Sequence, residues 1–120
     1  MQVKRIVSNV DTRNVAEAKR FYQDVLGLEL LMDHGWIATY GARRKMDVQI
    51  SFASQGGSGT PTPDLSIEVD DVDAALARVK EAGFPIAYGP VDEPWGVRRF
   101  YVRDPFGKLV NILAHQEQGA

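Results

Sequence analysis

A break near the middle of the chain separates two stretches with the same order of elements. From Ser54 to Pro63 the sequence reads SQGGSGTPTP, where Gly, Ser, Thr and Pro displace every large apolar residue and no periodicity survives. Before it, Val3 to Asn9 is β-rich. Asn14 with Glu17 three positions on has the form of a capping box, and Val15, Ala18, Tyr22 and Val25 recur at helical spacing up to Gly27. Apolar segments follow at Leu28 to Met32, Trp36 to Tyr40 and Met46 to Phe52, with a turn predicted at Asp33-His34-Gly35. After the break the order restarts. A strand is expected over Leu65 to Val69, then a helix capped by Asp70 or Asp71, carrying Val72, Ala75, Leu76 and Val79 and closed by Gly83. Further strands are expected at Phe84 to Tyr88, Val97 to Val102 and Lys108 to Ala114, with turn chemistry at Gly89-Pro90 and Asp104-Pro105-Phe106-Gly107.

Each half therefore reads β-α-β-β-β. The expected organisation is one α+β domain of two modules, residues 3–53 and 64–115, joined by a linker at 54–63. The other reading is an undivided α+β domain whose halves match by chance. With 120 residues, 44% hydrophobic and 25% charged, the chain is long enough for one ordinary core. A formal charge of −2 argues against a nucleic-acid surface, since the densest basic runs are Arg43-Arg44-Lys45 and Arg98-Arg99. No apolar stretch approaches the ~20 residues of a membrane span. The absence of cysteine removes disulfides, thiolate nucleophiles and sulfur-based zinc sites. A cytoplasmic location fits this composition.

Alternation along the strands sorts their side chains into two faces. Val48, Ile50, Phe52, Leu65, Ile67, Val69, Val110, Ile112 and Ala114 form an apolar set expected to pack on the helices. Asp47, Gln49, Ser51, Asp64, Ser66, Glu68, Leu109, Asn111 and Leu113, with Arg5 and Val7, form a mixed set. Such a face either meets water or lines a concavity. Trp36, Tyr40, Trp95, Phe100 and Tyr101 lie on or beside the same strands, where they serve either as core or as walls of a pocket.

FYQDVLGLEL at Phe21 to Leu30, DLSIEVDDVDAAL at Asp64 to Leu76 and RRFYVRDPFGKLVNIL at Arg98 to Leu113 occur in that order, and with them the chain resembles the vicinal oxygen chelate superfamily. That superfamily includes glyoxalase I, extradiol dioxygenases, fosfomycin resistance enzymes and bleomycin resistance proteins. The resemblance runs from about Val3 to Ala114. It implies paired βαβββ modules forming a cupped mixed sheet with helices on the outer face, and a homodimer whose clefts combine modules. Enzymes of the family hold a divalent ion with His, Glu or Gln on the first and last strands of the modules. Those positions fall here on Arg5, Gln49, Asp64 and Asn111.

A permanent cation and two carboxamides are poor ligands for such an ion, and Asp64 alone is a good one. His34, in a turn, and His115, beyond the last strand, do not repair the set. No metal, cofactor or catalytic residue is therefore expected. Motifs of nucleophilic or phosphate-binding sites are missing too, because the glycines of Gly56 to Gly59 precede no helix start. The expectation is a metal-free protein that sequesters an antibiotic or other aromatic natural product in a dimer cleft, without nucleic-acid or membrane partners. Trp36 and Trp95 would stack on planar parts of the guest. Arg98 or Arg99 would add a charged hydrogen bond or a cation–π contact, with Arg98 assigned to the site. Arg5, Tyr40, Gln49, Asp64, Tyr101 and Asn111 complete the expected lining. The alternative is a lyase, isomerase or dioxygenase of the same superfamily, either metal-dependent or using Asp64 or Glu68 as base.

Overall fold

The computed structural model describes residues 5, 7–42 and 49–116. The chain divides into two compact units, one ending at Thr62 and the other beginning at Pro63. The Gly-rich segment before this boundary is closed by its own hydrogen bonds. Gly56 donates to the Thr60 carbonyl at 2.8 Å, and Thr60 to that of Gly57 at 3.0 Å.

In the second unit, strand β3 (Leu65–Glu68) is followed by helix α1 (Val72–Glu81) and strands β4 (Ile86–Glu93), β5 (Val97–Arg103) and β6 (Leu109–His115). The sheet order is β3-β6-β5-β4, with β3 parallel to β6 and the other pairs antiparallel. This is the β-α-β-β-β order expected from the sequence. Asp71, in extended backbone, caps α1 by accepting the Ala74 amide at 3.0 Å. Gly83 ends it at φ 83°, a left-handed conformation that costs glycine little. Val72 and Val79 put one stripe of α1 into the core with Phe100, Val102, Val110 and Ile112, all buried. Fully burying each such side chain stabilises the fold by roughly 1.5–3 kcal/mol.

The Asp104-Pro105-Phe106-Gly107 turn is set by one buried carboxylate. Asp104 Oδ1 accepts the amides of Phe106 at 2.9 Å and Lys108 at 2.8 Å. The Asp104 amide and carbonyl also bond to the Lys108 carbonyl and the Gly107 amide, each at 3.0 Å. The β5–β6 register follows from this clamp, with Tyr101 opposite Asn111.

The first unit departs further from expectation. In place of one α-helix there is a 3₁₀ turn over Val15–Glu17 and a π-helical segment over Lys19–Gln23. The Asn14 side chain makes no cap bond, and Glu17 pairs instead with Arg20 at 3.3 Å. The wider winding appears in the bonds from Asp24 to the Lys19 carbonyl and from Leu26 to that of Phe21, each spanning five residues. It buries Phe21 with Val25, while Tyr22 is half-buried. Gly27 still closes the segment at φ 74°.

Strands β1 (Glu29–Asp33) and β2 (Ala38–Gly41) then form an antiparallel hairpin, bulged between Leu30 and Met32. Asp33 Oδ1 accepts the Gly35 amide at 2.9 Å, which is the turn chemistry read from Asp33-His34-Gly35. The strand expected over Val3 to Asn9 is not formed by its described residues, 5 and 7–9; positions 3, 4 and 6 lie outside them. Of the strand expected over Met46 to Phe52, residues 46–48 lie outside the described residues and 49–52 have no strand structure. Ile50 and Phe52, assigned to the helix-facing set, are 66% and 89% exposed. A strand needs a ladder to pair with, and the sheet described in this unit has two strands only.

Replacing Asp104 with alanine strands two backbone amides, so Asp104→Ala should lower stability by about 2–4 kcal/mol, while Asp104→Asn retains most of it. Urea unfolding followed by tryptophan fluorescence reads the difference.

Candidate functional site

The polar face of the second unit is organised around Arg99. On β5, Arg99 and Tyr101 point to one side of the sheet, and Arg98, Phe100 and Val102 to the other. Arg99, 4% exposed, donates Nε and Nη2 to Glu93 Oε2 at 3.0 and 2.6 Å, and Nη1 to the Tyr101 hydroxyl at 2.9 Å. The Tyr88 hydroxyl donates to the other Glu93 oxygen at 3.2 Å. The guanidinium carbon lies 5.4, 5.0 and 4.9 Å from the ring centres of Tyr88, Trp95 and Tyr101. A cation removed from water is thus matched by a carboxylate and three π faces, which compensates the desolvation an unpaired charge would suffer.

Two irregularities in β4 make this cluster. Ile86 pairs with Val102 and Tyr88 with Tyr101, so an extra residue puts Ile86 and Tyr88 on opposite faces although they are two apart in sequence. A second shift, across Gly89-Pro90, returns Val91 to the face of Arg99. Gly89 is required there. Its φ is 78°, and a Cβ would sit 2.7 Å from the Arg99 carbonyl oxygen. The β4–β5 turn then brings Trp95, 50% exposed, over the guanidinium.

Arg98 lies on the opposite face of β5 from Arg99. Its guanidinium reaches Asp73 on α1 at 2.9 Å and Asp92 at 3.1 Å, tying helix to sheet, and these carboxylates, Asp73 first, raise its pKa. Strand parity separates the neighbours: Arg99, not Arg98, is on the face of Tyr88, Trp95 and Tyr101. Tyr88 and Glu93 were not among the expected site residues either. The adjacency of Glu93 to Trp95 was the one available signal.

Of the remaining positions in this unit, Asn111 lies opposite both Tyr101 and Ser66. Its Nδ2 donates to Ser66 Oγ at 3.1 Å. Its Oδ1 is buried without a hydrogen-bond partner among the described residues, on a side chain whose residue is 7% exposed. Such an acceptor costs roughly 1–3 kcal/mol while unpaired. Asp64 is committed to structure, since Oδ2 accepts the Leu109 amide at 2.8 Å and its own amide donates to the Leu109 carbonyl at 2.8 Å. Glu68 is exposed and lies 3.2 Å from His115 Nδ1.

In the first unit, Arg5, Val7 and Asn9 line a groove of about 300 Å³ with Leu31, Met32, Ile37 and Thr39. Trp36 sits in the hairpin turn, 77% exposed, stacked on His34 at 6.5 Å. Tyr40 is half-buried with its ring 6.4 Å from Tyr22. Gln49 is exposed.

The Glyoxalase/Bleomycin resistance protein/Dioxygenase superfamily profile matches residues 5–112, and the chain belongs to that superfamily. No curated protein matches the chain. Among solved structures, it is similar to TnmS3, an antibiotic binding protein from Streptomyces sp. CB03234, with a TM-score of 0.61 and 26% identity over 84% of this chain and 86% of that one. TioX from Micromonospora sp. ML1 gives a TM-score of 0.56 and 23% identity over 88% and 90% of the two chains. A glyoxalase/bleomycin resistance protein/dioxygenase from Nocardioides gives 0.58 and 19% over 95% and 89%.

The family's divalent ion does not fit the donors present at the positions carried over from it. Arg5 would repel a cation, Asn111 and Gln49 are carboxamides, and the Asp64 carboxylate already holds a backbone amide. No group of three His, Cys, Asp or Glu stands close enough to hold a metal among the described residues.

Glu93→Gln leaves the buried guanidinium without its counter-charge and should cost about 3–5 kcal/mol, whereas the paired change Glu93→Leu with Arg99→Met should recover most of it. Guanidinium chloride unfolding of both variants tests this. A single substitution costing under about 1 kcal/mol would contradict the buried pair.

Proposed function

We propose that this chain is a metal-free binding protein that sequesters an antibiotic or another aromatic natural product, acting as a homodimer in the cytoplasm. The observation that carries the reading is the pair of accessible rings of Trp95 and Tyr88, backed by the buried Tyr101 and held rigid by the buried Arg99–Glu93 pair. A planar guest gains most from rings that are ordered before it arrives. Likeness to TnmS3, described as antibiotic binding, supports the same class of guest. Trp36 and Tyr40 are further aromatic contacts in this proposal, and Gln49 a polar one.

Self-association is supported by the β1 edge, where Leu30, Leu31 and Met32 are exposed on a two-stranded sheet that is marginal alone. The competing reading, an enzyme with Asp64 or Glu68 as base, has less support. The Asp64 carboxylate already accepts a backbone amide, and Glu68 is solvated beside His115.

Native mass spectrometry and metal analysis of untagged protein test the proposal, followed by titration with bleomycin, mitomycin C and menadione. A dimer without stoichiometric metal that binds a member of the panel is expected. Trp95→Ala should weaken that binding about tenfold while changing stability by under about 1 kcal/mol. One tightly held transition-metal ion per chain would overturn the reading.

A further inference from the structure

The groove of the first unit specifies the charge of what it holds. Arg5, Val7 and Asn9 line it with the apolar Leu31, Met32 and Ile37, and Thr39 is a further polar group. Its volume of about 300 Å³ lies at the lower end of the range for small-molecule sites. Of these lining residues only Arg5 is charged, and no carboxylate among them balances it. Arg99 is the opposite case, with its charge met by Glu93 at 2.6 Å. The accessible rings near Arg99, those of Trp95 and Tyr88, surround a neutralised pair, whereas a guest at Arg5 meets a guanidinium with no carboxylate among the described lining residues.

We infer that the Arg5 groove binds the carboxylate of a small molecule with an apolar body, the anion on the guanidinium fork and the body along Leu31, Met32 and Ile37. The inference rests on the small-molecule reading above and sharpens it by naming the ligand class. A guanidinium fixes a carboxylate with two parallel charge-assisted hydrogen bonds, which an alcohol of the same shape cannot match. Where a metal-binding relative would reach a guest's oxygen through an ion, this chain would reach an anionic oxygen directly.

The matched probes are 2-naphthylacetate and 2-naphthaleneethanol, titrated into the full chain by calorimetry and by amide NMR. The acid should bind about tenfold or more tightly than the alcohol, shift the amides of Val7, Asn9, Leu31, Ile37 and Thr39, and weaken as salt rises. Arg5→Gln should remove the preference for the acid without altering the melting temperature, and Arg5→Lys should keep part of it. Equal affinities, an unaffected Arg5→Gln variant, or shifts confined to residues 63–116 would overturn the inference. If neither naphthyl compound binds but a member of the antibiotic panel does, the anion assignment fails and the binding reading stands. Silence from every probe would sink both.

Discussion

The buried ion pair between Arg99 and Glu93 is the constraint around which the second unit's polar face is built. Taking a guanidinium and a carboxylate out of water costs several kcal/mol per ion after relaxation, and the pair persists only because each group is met on several sides. Glu93 accepts two donors from Arg99 and one from Tyr88, while Arg99 also reaches Tyr101 and lies near three rings. These demands set local backbone geometry. The two bulges of β4 and the left-handed Gly89 bring Tyr88, Val91 and Glu93 to one face, where strict alternation would have split them.

Three carboxylates of this unit hold backbone. Asp104 organises the β5–β6 turn, Asp64 binds the first residue of β6 and Asp71 caps α1. A carboxylate that accepts backbone amides has fewer lone pairs for a metal or a proton in transit. In this member of the superfamily the Asp64 carboxylate fastens the start of β3 to β6. Accessible aromatic surface remains at Trp95 and Tyr88, and in the first unit Arg5 stands beside apolar groove walls.

Elements whose signals are local were legible. Asp71 before Val72, Ala75, Leu76 and Val79, with Gly83 beyond, specifies a capped amphipathic helix, because cap, stripe and stop lie within one short segment. Asp104-Pro105-Phe106-Gly107 and Asp33-His34-Gly35 were legible for the same reason, since an aspartate bonding to amides two to four residues ahead needs no distant partner. The Asn14 capping box had the right letters but a different outcome: Glu17 pairs with Arg20, and winding over five residues buries Phe21. The choice between Arg98 and Arg99 was illegible from composition, because it depends on which face of β5 looks toward α1.

The turn expected at Gly89-Pro90 lies inside β4, whereas the sequence by itself determined the α+β class, the capped helix of the second half and the Asp104-Pro105-Phe106-Gly107 turn. These follow from residue type and spacing over short range. The tertiary structure decided which arginine is buried, that Tyr88 and Glu93 join it, that Asp64 serves the backbone and that Asn111 keeps a free acceptor. Those outcomes depend on strand register and bulges, and register is settled only when strands distant in sequence pair and bury their shared faces.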